Sequence, residues 1–114
     1  MKDDRLYLVH IRECLQRIEA YVRGGRSEFD ASTLIQDAVL RNLQTLAEST
    51  QRVSEQRQSA HPEVPWRALA GFRNILVHGY LGVDLERVWQ ITAEELPGLR
   101  EQVERMIREL PPAT

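Results

Sequence analysis

Apolar residues recur at helical spacing in four stretches of the chain. Leu8, Ile11, Leu15, Ile18 and Val22 follow one another at three- and four-residue steps, a stripe on one side of a helix. Ile35, Val39, Leu43, Leu46 and Val53 form a second row, with Asp37, Arg41, Asn42 and Glu48 off it. A third row holds Trp66, Leu69, Phe72 and Leu76, and a fourth Leu99, Val103, Met106 and Leu110. No segment alternates with period two and no Asn-Gly or Asp-Gly turn is present, so strands are not expected.

The punctuation between these rows predicts their ends. Gly24-Gly25 is expected to stop the first helix in a left-handed C-terminal cap, and Asp30 or Ser32 to cap the second. Ser54 to Pro65, with two prolines, reads as a loop or frayed helix end. Pro65 suits the first turn of the third helix, and Gly79 and Gly82 end it. Asp84 to Trp89 reads as a short turn. Thr92-Ala-Glu-Glu95 spells a capping box, although Pro97 moves the helix start a few residues later. The acidic pairs Asp3-Asp4 and Glu94-Glu95 then sit at helix starts. The expected fold is all-α: an antiparallel four-helix-type bundle with an additional short helix or turn after the third helix.

Composition narrows the function more than the fold. At 114 residues the chain is expected to be a single domain spanning 1–114, and no run approaches a membrane-crossing length. The net charge of −2 argues against a protein that coats nucleic acid, but not against an enzyme with a local positive patch. Cys14 is alone, which excludes an internal disulfide; with no secretory signal in view, the cytoplasm is the expected location. His10, Cys14 and His61 have no metal-ligand spacing, so no metal site and no cofactor are expected.

The candidate chemistry is concentrated in Arg73-Asn-Ile-Leu-Val-His78-Gly-Tyr80. A guanidinium holds a phosphate, an imidazole moves a proton near neutral pH, and a phenol donates a hydrogen bond or accepts a modification. In one ideal helix Arg73 and His78 lie about 140° apart, whereas Asn74 and His78 share a side. A two-fold dimer resolves this by lining one cleft with two such sets. Asp37 and Glu48, on the second helix, are candidates to orient Arg73 or His78.

The spelling Arg-x4-His-x-Tyr, and the block from Pro62 to Asp84 around it, resembles the HEPN superfamily and within it the HepT-like toxin ribonucleases. Asp37 to Leu43 is similar to that family's second-helix block. Ala47-Glu48-Ser49 stands where the family more often has Gly-Glu-Ala, and Val88-Trp89 and Leu96 to Leu99 also match. The resemblance implies a helical homodimer and a metal-independent endoribonuclease site formed by Arg73 and His78; Asn74, on the same side of the helix as His78, is a supporting candidate. It also implies an MntA-type minimal nucleotidyltransferase antitoxin that silences the toxin by attaching AMP to Tyr80. The alternative is a non-catalytic HEPN module that partners, or presents substrate to, a nucleotidyltransferase.

Overall fold

The computed structural model describes residues 3–78 and 84–111, and side chains for 3–72 and 84–111. Four long helices carry the four predicted rows: α1 (Asp4–Tyr21), α3 (Thr33–Arg52), α5 (Trp66–His78) and α7 (Leu96–Glu109). Short helices α2 (Arg26–Ala31), α4 (Glu55–Ala60) and α6 (Leu85–Gln90) join them. The described residues are helical throughout apart from turns, giving the expected all-α bundle.

Each long helix buries its row. Leu8, Ile11, Leu15 and Ile18 of α1 meet Val39, Leu43 and Leu46 of α3, and all are at most 1% exposed. Leu69 and Phe72 of α5 close over the far side of α3, while Leu99, Val103 and Met106 of α7 pack on α1. Burying a side chain of this size stabilises the fold by about 1.5–3 kcal/mol, so the four rows dominate the folding energy. Cys14 is part of this core, and burial pushes its thiol pKa up, away from reactivity.

Polar contacts at the helix ends set direction and register. The Asp4 carboxylate accepts from the Ser54 amide (2.9 Å) and hydroxyl (2.8 Å), which places the start of α1 against the end of α3. Arg12–Glu104 (3.3 Å) and Glu19–Arg100 (2.6 Å) run α7 antiparallel to α1. Gln51 donates to the Trp66 carbonyl (3.3 Å), so α5 starts beside the end of α3 and runs back along it.

Several connections differ from the sequence expectation. α1 ends at Tyr21, before Gly24-Gly25, with Val22 as its C-cap at an ordinary φ of −98°. The left-handed conformation is used instead at Gly25 (φ 88°), the entry to α2, a backbone position that favours glycine. Ser32, one of the two expected caps, starts α3 by accepting from the Ile35 amide (3.1 Å). The Ser54–Pro65 stretch contains α4, whose N-cap is Ser54. Asp84–Trp89 is the cap and body of α6 rather than a turn, Asp84 accepting from the Arg87 amide (3.1 Å).

The capping box at Thr92 does not form. α6 runs into a π turn, Ile91–Glu95, in which the Leu96 amide bonds the Ile91 carbonyl, and this leads directly into α7. Thr92 is buried and donates to the Val88 carbonyl (2.9 Å), the behaviour of a mid-helix threonine. The wider turn places Pro97 at the first positions of α7, where its missing amide hydrogen costs nothing. Of the two acidic pairs, Asp3 is a cap, accepting from the Arg5 amide. Glu94 and Glu95 instead lie within the π turn, where Glu95 pairs with Arg87 (2.7 Å).

One buried polar cluster fixes the start of α5. His61 is 7% exposed, with Nδ1 3.1 Å from Glu63 and Nε2 3.1 Å from Glu109 near the end of α7. The Trp66 indole donates to the Gln58 and His61 carbonyls, locking the same corner. The Glu63 carboxyl is held below the usual range, first by its own backbone amide and then by His61. A depressed carboxyl adds stability above its unfolded pKa and loses it as pH falls through the folded value. His61→Ala is therefore expected to lower Tm on the order of 5 °C at pH 6, with the gap to wild type narrowing below about pH 4. Thermal unfolding followed by circular dichroism across pH 3–7 checks this; a pH-independent gap would remove the carboxylates from the explanation.

Candidate functional site

Arg73 to His78 form the last described turns of α5, and the backbone stays α-helical through His78. No break brings Arg73 round to His78, so their positions stay about 140° apart on the helix. Leu69 and Phe72 mark the side of α5 that faces the core. Position 73 flanks that side, while positions 74 and 78 fall about 140–180° from Leu69, away from the core of this chain. Gly71 lies in a similar direction, about 20° past position 78, and a Cβ built there would meet nothing within 4 Å, so the outer side of α5 leaves room for a neighbour at Gly71.

Tyr80, and the expected end of the helix at Gly79 and Gly82, lie outside the described residues.

The two α3 candidates separate in height. Counting back along α3 from Gln51, which bonds the first residue of α5, reaches the Asp37–Arg41 turn at the level of His78. Glu48 lies near the level of Leu69, about 13 Å short of His78 along the axis. Both carboxylates are exposed. Asp37 is therefore placed at the motif end of the bundle, and Glu48 nearer its middle.

Other candidate residues have structural roles. His10 Nδ1 is 2.9 Å from the Ser49 hydroxyl, a link between α1 and α3. Asn42 is buried and donates to the Ala38 carbonyl within its own helix. A groove of about 290 Å³ between α5 and α7, lined by Leu69, Phe72, Leu96 and Leu99, lies on the core side of α5, away from positions 74 and 78. Among the described residues no cluster of His, Cys, Asp and Glu is arranged to hold a metal ion. No described helix is long and apolar enough to cross a membrane.

The family model described as Ribonuclease HepT-like matches residues 11–106, which take in the motif, all of α3 and α5, and α1 and α7 except the start of the first and the end of the last. The chain belongs to that family. It is 34% identical over 101 residues to a Thermococcus cleftensis protein named "Probable ribonuclease HepT", covering 88% of this chain and 92% of that one. A Caldanaerobacter subterraneus protein named "Putative RNase TTE0752" is 31% identical over 109 residues, covering 95% and 97%. A third relative, "Gamma-glutamylcyclotransferase and putative RNase MJ0434" of Methanocaldococcus jannaschii, is 32% identical over 110 residues. The match takes in 96% of this chain but 50% of that protein, so the HepT-like chain spans half the length of that relative. No solved structure matches.

Sequence reasoning passed over Arg41, whose level beside His78 appears only when α3 and α5 are set in register. It also passed over the contacts of His61. A histidine before a proline carries no local sign of the two carboxylates that the fold brings to it.

Proposed function

We propose that this HepT-like chain is the toxin of a toxin–antitoxin pair, a metal-independent endoribonuclease whose site is built by two copies of α5. The observation that carries this reading is the complete Arg73-x4-His78-x-Tyr80 spelling in a chain of the HepT-like ribonuclease family. The unbroken helix supports the two-copy arrangement. One α5 separates positions 73 and 78 too widely to focus both on one phosphate, whereas a two-fold axis against its open outer side supplies a second set.

The chemistry follows from the groups. A base takes the proton of a ribose 2′-hydroxyl, O2′ attacks phosphorus, and the P–O5′ bond breaks. O5′ takes a proton from an acid, leaving a 2′,3′-cyclic phosphate and a 5′-hydroxyl. His78 of one copy serves as acid and His78 of the other as base. Position 78 lies towards the C-terminal end of α5, where the helix dipole favours the imidazolium and so the acid role. Arg73 stabilises the charge that grows on the non-bridging oxygens, an electrostatic contribution that is often the largest in such reactions.

Silencing is assigned to an MntA-type nucleotidyltransferase that attaches AMP to Tyr80. The added phosphate brings negative charge and bulk to the place where an RNA phosphate must bind. Tyr80→Phe co-expressed with the partner is then expected to stay toxic while wild type is silenced. Mass spectrometry of the wild-type chain should show one added AMP. Silencing of Tyr80→Phe as complete as that of wild type would turn the mechanism to simple occlusion.

The deciding experiment incubates the purified chain with mixed cellular RNA in excess chelator. Cleavage leaving cyclic phosphate ends supports the reading. No cleavage by a folded dimer that binds the nucleotidyltransferase tightly favours the non-catalytic module instead.

A further inference from the structure

Catalysis needs more than the scissile phosphate in place. The flanking phosphates of a single strand must also be held, and the chain carries a net charge of −2. Among the described residues Arg12, Arg26, Arg57, Arg87 and Arg100 pair with carboxylates, whereas Arg5, Arg17, Arg23, Arg105 and Arg108 form no ion pair but lie outside α3 and α5. On α3 and the side-chain-described part of α5, Arg41, Arg52 and Arg67 are exposed and form no ion pair among the described residues. Register separates these three. Gln51 bonds the carbonyl of Trp66, so Arg52 and Arg67 sit at the end where α5 starts. Arg41 sits towards the opposite end, about 15 Å from Gln51 along the axis and within about 3 Å of the level of His78.

Packed helices lie about 8–10 Å apart, a gap that an arginine side chain spans from one helix to the rim of the next. Arg41 points away from the row of Val39, Leu43 and Leu46 on the helical wheel and is exposed, so its guanidinium is available to a ligand. Asp37 shares its face one turn earlier, yet no ion pair forms between them. We propose that Arg41 binds a backbone phosphate of single-stranded RNA flanking the scissile one, and so sets substrate affinity rather than the rate of the chemical step. The inference rests on the ribonuclease reading above and extends that site onto α3. Asp37 works against the same phosphate by like-charge repulsion, which keeps the affinity low enough for product release.

The test compares steady-state cleavage of a mixed-sequence RNA oligonucleotide by wild type, Arg41→Ala, Arg41→Lys, Asp37→Asn and Arg52→Ala across 50–300 mM salt. Arg41→Ala is expected to raise KM about tenfold with kcat within about twofold, as for loss of one charge-assisted phosphate contact. The slope of log(kcat/KM) against log salt should become shallower by about 0.7, one single-strand phosphate. Arg41→Lys should restore most of the affinity, Asp37→Asn should lower KM, and Arg52→Ala should match wild type. An unchanged KM and salt slope in Arg41→Ala overturns the proposal, as does an equal loss in Arg52→Ala, which would mean a diffuse charge effect. If wild type cuts no RNA, the nuclease reading itself fails. Arg41 is then judged on RNA binding alone, and equal affinities of wild type and Arg41→Ala overturn it.

Discussion

His78→Ala is expected to abolish RNA cleavage, with kcat falling about 10²–10⁴-fold, while the helical bundle and its melting temperature stay close to wild type. The size follows from removing both proton transfers at once: each two-fold site loses its acid and its base together, and general acid–base assistance is worth that range. On the helical wheel position 78 lies away from Leu69 and Phe72, so the fold is expected to tolerate the substitution. Arg73→Ala is expected to lose about 10²–10³-fold by a different route, since it removes charge stabilisation and leaves the proton transfers intact. The two variants should then differ in pH dependence. The residual activity of Arg73→Ala should keep the pH profile of wild type, and that of His78→Ala should lose it. A His78→Ala protein that cuts RNA at the wild-type rate would end the proposed mechanism.

Mixing wild type with His78→Ala tests the shared cleft. A heterodimer of the two keeps a single His78, so its cleft has lost either the acid or the base. After full subunit exchange at equal amounts and constant total protein, activity is expected to fall to about one quarter of that of wild type, the share of undisturbed dimers. A fall to only about one half would place each site within one chain.

The largest expected effect on stability is at Phe29. Its ring is 0% exposed and lies 5.3 Å from that of Trp89, tilted by 44°, so this aromatic contact and the exposed Arg26–Glu86 ion pair hold a six-residue helix to α6. Gln36 supports the same point by donating to the Phe29 and Asp30 carbonyls (3.0 and 3.1 Å) at the end of α2, where the Ser32 amide also reaches the Phe29 carbonyl. Phe29→Ala is expected to cost about 3–5 kcal/mol, lost burial plus an unfilled cavity. Against a total stability of about 5–15 kcal/mol for a domain, that is a large share, and Tm should fall about 10–20 °C. Phe29→Leu, which keeps most of the volume, should recover more than half. Urea unfolding gives both values, and a loss under about 1 kcal/mol for Phe29→Ala would mean that α2 collapses freely into the gap.

Phe29 also shows where reading the chain directly stops. The four long helices were legible because an apolar stripe repeats over several turns. Leu8 to Ile18 or Leu99 to Met106 is a pattern each segment carries by itself. α2 and α6 are six residues each, too short for a period to show, and their buried residues Phe29 and Val88 have no repeat around them. Thr92 illustrates the opposite error. Its local spelling is that of a cap, but Val88, Ile91 and Leu96 are all buried, and a continuous run through a π turn keeps them so. Local spelling lost to packing.

By itself the sequence determined the fold class, the identity of the buried rows and the Arg73-x4-His78-x-Tyr80 spelling, because periodicity and side-chain type are local properties. Tertiary structure decided everything that depends on register between helices. It placed Asp37 and Arg41 level with His78, left Glu48 near the level of Leu69, and brought Glu63 and Glu109 to the two nitrogens of His61. Those relations join residues far apart in the chain, and the contacts that set them, Asp4 with Ser54 and Gln51 with Trp66, exist only once the helices have packed.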